Sequence, residues 1–127
     1  MNAIDSAFSL KYSDPWSRLN SMQELASLIW LLHLKLENKR EGASNPIMTE
    51  RDVEIEGVEP GFSGISLGTT SHIIAHSYSN NKYFRVDIVY SEDTGISQEM
   101  IIHYLQDILP EECKLLELYE PNPDEVA

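Results

Sequence analysis

Between Ser63 and Ser91 the chain gathers the side-chain types that nucleophilic and acid–base chemistry needs. There are hydroxyls at Ser63, Ser71 and Ser91, imidazoles at His72 and His76, a guanidinium at Arg85 and a carboxylate at Asp87. Tight turns at Gly68-Thr69 and Asn80-Asn81 would fold this stretch into two successive hairpins. Ser63 would then face Ile74, Ser66 would face Ser71, His76 would face Arg85, and Thr70 would face Ser91. Side chains alternate along a strand and cross-strand neighbours share a face. One face would therefore carry Ser63, Thr70, His72, His76, Arg85, Asp87 and Ser91, with Ser63 diagonal to both histidines.

A Ser, His and Asp set could activate a hydroxyl for acyl transfer, but triads are recognised by geometry and role rather than by composition. As a metal site the set falls short, because Asp87 is the one carboxylate near His72 and His76; no metal is expected. The plain alternative is that these residues form the solvated face of a one-sided sheet, which carries polar groups outward by default.

The elements that must position these residues follow from periodicity. Phe8, Leu10 and Tyr12 alternate as a short strand over Ala7 to Tyr12. Ser13-Asp14-Pro15 offers a helix cap followed by proline at a first helical position. Met22, Leu25, Leu28 or Ile29, Leu32 and Leu36 have helical spacing, predicting a helix over about Asn20 to Arg40. The period then changes to two, with strands expected at Ile47 to Ile55, Phe62 to Leu67, Ser71 to Tyr78 and Lys82 to Tyr90. A second helix over about Ser97 to Leu109 ends at Pro110, and a last strand spans Cys113 to Tyr119. Trp16 and Trp30 sit at helical positions and are expected in the core, whereas His33 and His103 are expected at an interface or in solvent. Runs of consecutive strands predict an α+β two-layer sandwich, an antiparallel sheet with helices on one face.

Composition narrows the class. The 127 residues suggest a single domain, 1–127, and a hydrophobic share of 42% is enough for a core. Lys+Arg number 9 against Asp+Glu 21, a net charge of −12, which argues against nucleic acid and against an anionic membrane surface. One cysteine, Cys113, excludes an internal disulfide framework. Neither a membrane span nor a signal peptide is evident, and a cytoplasmic location is expected.

The residues Gly61-Phe62-Ser63-Gly64, Ser71-His72-Ile73-Ile74-Ala75-His76-Ser77-Tyr78 and Val86-Asp87-Ile88-Val89 resemble the core of the bacterial and archaeal type of S-adenosylmethionine decarboxylase. The spacings from Ser63 to Ser71, Ser71 to His76 and His76 to Asp87 match without a gap. The order of elements and the chain length are also similar. The resemblance implies a self-processing carboxy-lyase of polyamine (spermidine) biosynthesis, made as a zymogen. A serine hydroxyl attacks the preceding carbonyl, the amide becomes an ester, and elimination leaves a pyruvoyl group at the new N-terminus. That group condenses with the substrate amine and takes up the electrons released as carbon dioxide departs. Ser71 would be the pyruvoyl precursor, with cleavage between Thr70 and Ser71 giving a β chain 1–70 and an α chain 71–127. Ser63 would hydrogen-bond the carbonyl during processing, and His76 would be the base assisting elimination. Ser71 points away from Ser63 and His76 in an ideal strand, so a bend at the cleavage site is required. The resemblance also implies a homodimer with active sites near the subunit contact.

The chain departs from the family at several positions. Ser91 stands where the family has its catalytic cysteine, and an alcohol is a much poorer proton donor than a thiol. Thr70 replaces the usual glutamate before the processed serine. Val58 and Gly57 occupy the positions of an adenine-stacking aromatic, flanked by Glu56 and Glu59. Those two carboxylates would suit a cationic substrate such as ornithine or arginine, and Arg85 could bind a substrate carboxylate or hold His76 neutral. Two readings stay open: a pyruvoyl-dependent decarboxylase, or a non-processing relative that acts by binding a partner.

Overall fold

The computed structural model describes residues 5–37, 45–51, 59–68, 70–91 and 94–120. In chain order the elements are β1 (Asp5–Ser13), α1 (Met22–Leu36), β2 (Ile47–Arg51), β3 (Gly61–Leu67), β4 (Ser71–Tyr78), β5 (Tyr83–Ser91), α2 (Gln98–Ile108) and β6 (Leu115–Tyr119). The six strands form one sheet in the order β2-β3-β4-β5-β1-β6, and each neighbouring pair is antiparallel. Both helices cover the same face, giving the expected α+β two-layer sandwich. Among the described residues no helix is long and apolar enough to cross a membrane.

Alternation along the central strands decides which residues meet the helices. Ser71, Ile73, Ala75 and Ser77 of β4 and Phe84, Val86, Ile88 and Tyr90 of β5 are buried. Leu25, Ile29 and Leu32 of α1 and Ile101 and Leu105 of α2 join them in one core. A Cβ on Gly64 of β3 would come within 2.7 Å of Ile29 Cδ1, so the bare glycine is what lets α1 cross the sheet closely at this point.

Local sequence explains the helix ends. The Ser21 hydroxyl accepts the Glu24 N–H at 3.4 Å and the Ser97 hydroxyl accepts the Met100 N–H at 3.3 Å, capping α1 and α2. The cap expected at Ser13-Asp14-Pro15 does not start a helix. The Asp14 carboxylate instead accepts the N–H groups of Arg18 and Leu19, both at 2.9 Å, and Ser17 takes a left-handed φ of 53°. Asp14 thus organises a turn, and the helix begins only at Met22.

Two core assignments are corrected. Trp16 is 69% exposed and Trp30 is also exposed, because the buried stripe of α1 runs through Leu25, Leu28, Ile29, Leu32 and Leu36. His33 lies on that stripe and is fully buried rather than interfacial. The β4–β5 register is as expected, with His76 opposite Arg85. The β3–β4 hairpin closes one residue later than expected, at Gly68 and Ser71, where the Gly68 N–H donates to the Ser71 carbonyl at 2.9 Å. Ser63 is therefore directly opposite His76, not Ile74, and Ser66 is opposite Ile73, not Ser71. Gly68 and Ser71 both pack on buried side chains of α1, a tertiary demand that outranks the turn preference of the glycine.

Candidate active site

Strand β4 carries a polar group of residues on each of its two faces. On the solvent face the Ser63 hydroxyl and His76 Nδ1 are 2.7 Å apart, joined across the β3–β4 ladder. Arg51, at the end of β2, locks this pair in place. Its guanidinium donates to the Phe62 carbonyl at 2.8 Å, to the Ser63 hydroxyl and to the Ser77 carbonyl, and lies over the Tyr78 ring. Burial lowers the His76 pKa below its ordinary value; Arg51 and Arg85 lower it further and Asp87 opposes them. The ring is therefore neutral near pH 7 and free to accept a proton.

The other residues expected on this face have mixed positions. Arg85 donates to the Ser9 hydroxyl at 2.7 Å and stands 4.0 Å from Asp87, with its side chain still partly exposed. The Glu59 carboxylate accepts the Asn80 N–H at 3.1 Å and the Asn81 side-chain amide at 2.8 Å, so it braces the β4–β5 turn. Glu56, Gly57 and Val58 lie outside the described residues. Cys113 is buried 3.9 Å from an Asp14 oxygen, and burial with that neighbouring carboxylate pushes its pKa up to about 12. It is no substitute for an acidic thiol.

Ser71 is on the opposite, helix-covered face, as strand alternation requires. It is 3% exposed and sits among polar side chains inside the core. Its Oγ is 3.1 Å from His33 Nε2 and donates to Glu37 Oε1 at 2.9 Å. His33 Nδ1 is 2.6 Å from the Ser66 hydroxyl. The Glu37 carboxylate also accepts the Thr70 N–H at 3.2 Å and the Thr70 hydroxyl at 2.9 Å, and lies 3.4 Å from His33 Nε2. Thr70 therefore reaches toward the helices rather than joining the solvent face. Burial raises the Glu37 pKa, but the hydrogen bonds from Thr70 and Ser71 and the adjacent His33 outweigh it and leave the pKa below its ordinary value. Glu37 is a buried carboxylate held in its ionised form.

The Thr70 carbonyl, next to the Ser71 hydroxyl in the chain, accepts the Ser91 N–H at 3.1 Å. That contact joins the expected Thr70 and Ser91 pair, through the backbone. Here a hydroxyl lies between an imidazole nitrogen and a carboxylate, beside a carbonyl that already accepts a hydrogen bond. Two partners in this arrangement, His33 and Glu37, escape a reading of the strands alone. The available signal was their spacing, i and i+4 on α1, in line with Leu25 and Ile29 on the buried stripe.

No protein-family model and no curated protein matches the chain. Among solved structures the chain is similar to the crystal structure of the adenosylmethionine decarboxylase from Aquifex aeolicus VF5. The match has 12% identity and a TM-score of 0.60 and covers 94% of this chain and 91% of that one. At that identity the likeness is one of fold, and it extends over nearly the whole chain.

Proposed function

We propose that the chain is the precursor of a pyruvoyl-dependent decarboxylase that cuts itself between Thr70 and Ser71. Its substrate is S-adenosylmethionine or a related amino acid such as ornithine or arginine, and its place is polyamine biosynthesis. The observation that carries this reading is the Thr70–Ser71 junction, where the Ser71 hydroxyl has proton acceptors and the Thr70 carbonyl already receives the Ser91 N–H. The fold likeness to an adenosylmethionine decarboxylase adds support.

The residues present suit the formation of a pyruvoyl group. Attack of Ser71 Oγ on the Thr70 carbonyl carbon forms a C–O bond and breaks the C–N bond, and the freed nitrogen takes the proton lost by the hydroxyl. As the carbonyl oxygen gathers charge, the Ser91 N–H is in position to hold it. Loss of the Ser71 α-proton then breaks the Cβ–Oγ bond and releases Thr70 as a carboxylate. Water displaces the nitrogen as ammonia and leaves the ketone. Once formed, the pyruvoyl group supplies the electron sink for loss of carbon dioxide.

Around that centre the chain offers Arg85, whose partly exposed guanidinium suits a substrate carboxylate, and Ser91 at the position of the family's thiol. A cationic substrate approaching Glu59 competes with the two N–H bonds this carboxylate already accepts. Ser71 and His76 are five residues apart on opposite faces of β4, a separation of about 16 Å at the usual strand rise. A role for His76 at the reacting centre therefore requires that the start of β4 move once the ester has formed, carrying residue 71 out of the enclosed core.

Intact mass of the purified protein tests the reading. Fragments of residues 1–70 and a pyruvoyl-blocked 71–127 are expected. A single uncut mass after long incubation overturns it. Carbon dioxide release from S-adenosylmethionine, ornithine and arginine then identifies the substrate.

A further inference from the structure

We propose that His33, supported by Glu37, is the base that starts self-cleavage, on the face of the sheet opposite His76. This rests on the self-processing reading above and assigns it a proton acceptor that comes from helix α1.

Three features of the core lead here. The first is geometry: His33 Nε2 lies 3.1 Å from Ser71 Oγ, while Nδ1 lies 2.6 Å from the Ser66 hydroxyl. With its proton on Nδ1 and donated to Ser66, the ring would present the Nε2 lone pair to Ser71, whose one hydroxyl proton then turns from Glu37 Oε1 at 2.9 Å to Nε2. The second is charge. Glu37 Oε1 is 3.4 Å from His33 Nε2, so the imidazolium formed when the ring takes the Ser71 proton has a carboxylate beside it. Thr70 grips that carboxylate through its N–H and its hydroxyl, which ties the carbonyl under attack to the base that drives the attack.

The third feature is enclosure. His33 is 0% exposed, Glu37 5% and Ser66 0%, and Ser71 is likewise buried. A serine with a base and a carboxylate would suit hydrolysis of an outside ester or amide only if such a substrate could reach it. Here the electrophile within reach is the neighbouring Thr70 carbonyl of the chain itself. A purely structural explanation is weak, because a buried ionisable pair contributes little stability compared with apolar residues of similar volume.

In the step, the proton moves from Ser71 Oγ to His33 Nε2 as the Oγ–C bond to Thr70 forms. It passes to the Ser71 nitrogen as the Thr70–Ser71 C–N bond breaks. The ring returns the proton it took, and the product is the ester. No oxidant, metal or external nucleophile enters, and the water needed later belongs to the release of ammonia.

The test follows the freshly synthesised full chain by intact mass with and without hydroxylamine, which cuts esters but leaves the peptide bond whole. Wild type, His33→Gln, Ser66→Ala and His76→Gln are compared, with exposed His103→Gln as the control, and far-ultraviolet circular dichroism reports folding. His33→Gln is expected to slow formation of the hydroxylamine-sensitive bond at least ~100-fold, the scale of a lost general base. His76→Gln is expected to form the ester and then stall, so hydroxylamine cuts it between Thr70 and Ser71. If His33→Gln does not fold, Ser66→Ala decides. That change removes the Nδ1 partner without touching Ser71, and it should slow ester formation ~10-fold if His33 must hold one tautomer. Ester formation at the wild-type rate in folded His33→Gln or Ser66→Ala overturns the assignment while leaving self-processing intact. A wild-type chain that yields neither fragments nor a hydroxylamine-sensitive bond overturns the self-processing reading, and this proposal with it.

Discussion

His33 Nε2 and Ser71 Oγ meet at 3.1 Å across the helix–sheet interface although 38 positions separate them in the chain. Strand alternation turns Ser71 away from Ser63 and His76, and helical spacing brings His33 to meet it. Among the described residues, hydroxyl–imidazole contacts therefore lie on both sides of strand β4: Ser63 with His76 half-buried on one face, and Ser66 and Ser71 with His33 in the core on the other.

Gly68 lies directly against the side chains of His33 and Glu37. A Cβ there would overlap His33 Nε2 and Glu37 Oε1, and both side chains are buried and hydrogen-bonded where they stand. Gly68→Ala should destabilise the fold by about 1–3 kcal/mol, as overpacking does. With His33 as the proposed base, it should also slow the proposed self-cleavage by up to ~100-fold through misplacement of that base. Thermal melting and intact mass read the two effects separately.

Stability should fall with acid in two stages. His76 has its pKa lowered from 6.5, so below that pH protons bind the unfolded chain first and stability drops until pH passes the folded value. Glu37 has its pKa lowered from 4.5, so its contribution is present above that pH and is lost as pH falls through its lower folded value. Denaturant unfolding across pH should show His76→Gln removing the first stage and Glu37→Gln the second. Curves that keep both stages in both variants contradict this assignment.

Arg51 lowers the His76 pKa and also bonds the Phe62 and Ser77 carbonyls. Arg51→Ala should raise the His76 pKa, because a neighbouring cation is gone. It should also destabilise the chain by about 1–3 kcal/mol through the carbonyls left without a donor. A proton NMR titration of His76 and a melting curve measure both, and an unchanged or lower pKa refutes the electrostatic part.

In the decarboxylase reading proposed above, Ser91 offers an alcohol where the carbanion calls for a more acidic proton donor. Ser91→Cys should raise carbon dioxide release by about an order of magnitude or more, the low end of general acid catalysis. Self-cleavage should keep its rate, because the contact to Thr70 comes from the residue 91 backbone N–H, which the substitution retains. Unchanged turnover would show that residue 91 is not the proton donor.

The amino-acid sequence determines by itself the order of elements, the two-layer class and the faces of β4 and β5, because hydrophobic period and turn chemistry are local properties. The Asn80-Asn81 turn sets the register that puts His76 opposite Arg85 for the same reason. Tertiary packing alone decided three other matters. Closure of the β3–β4 hairpin at Gly68 and Ser71 answers to the side chains of α1 rather than to the glycine's turn preference. The exposure of Trp16 and Trp30 follows from where the helix begins and which stripe it buries. The meeting of His33 and Glu37 with Ser66, Thr70 and Ser71 depends on how α1 crosses the sheet. No local pattern encodes that crossing. It is set by the close approach at Gly64 and by the core around Ile29 and Leu32, which only the folded chain brings together.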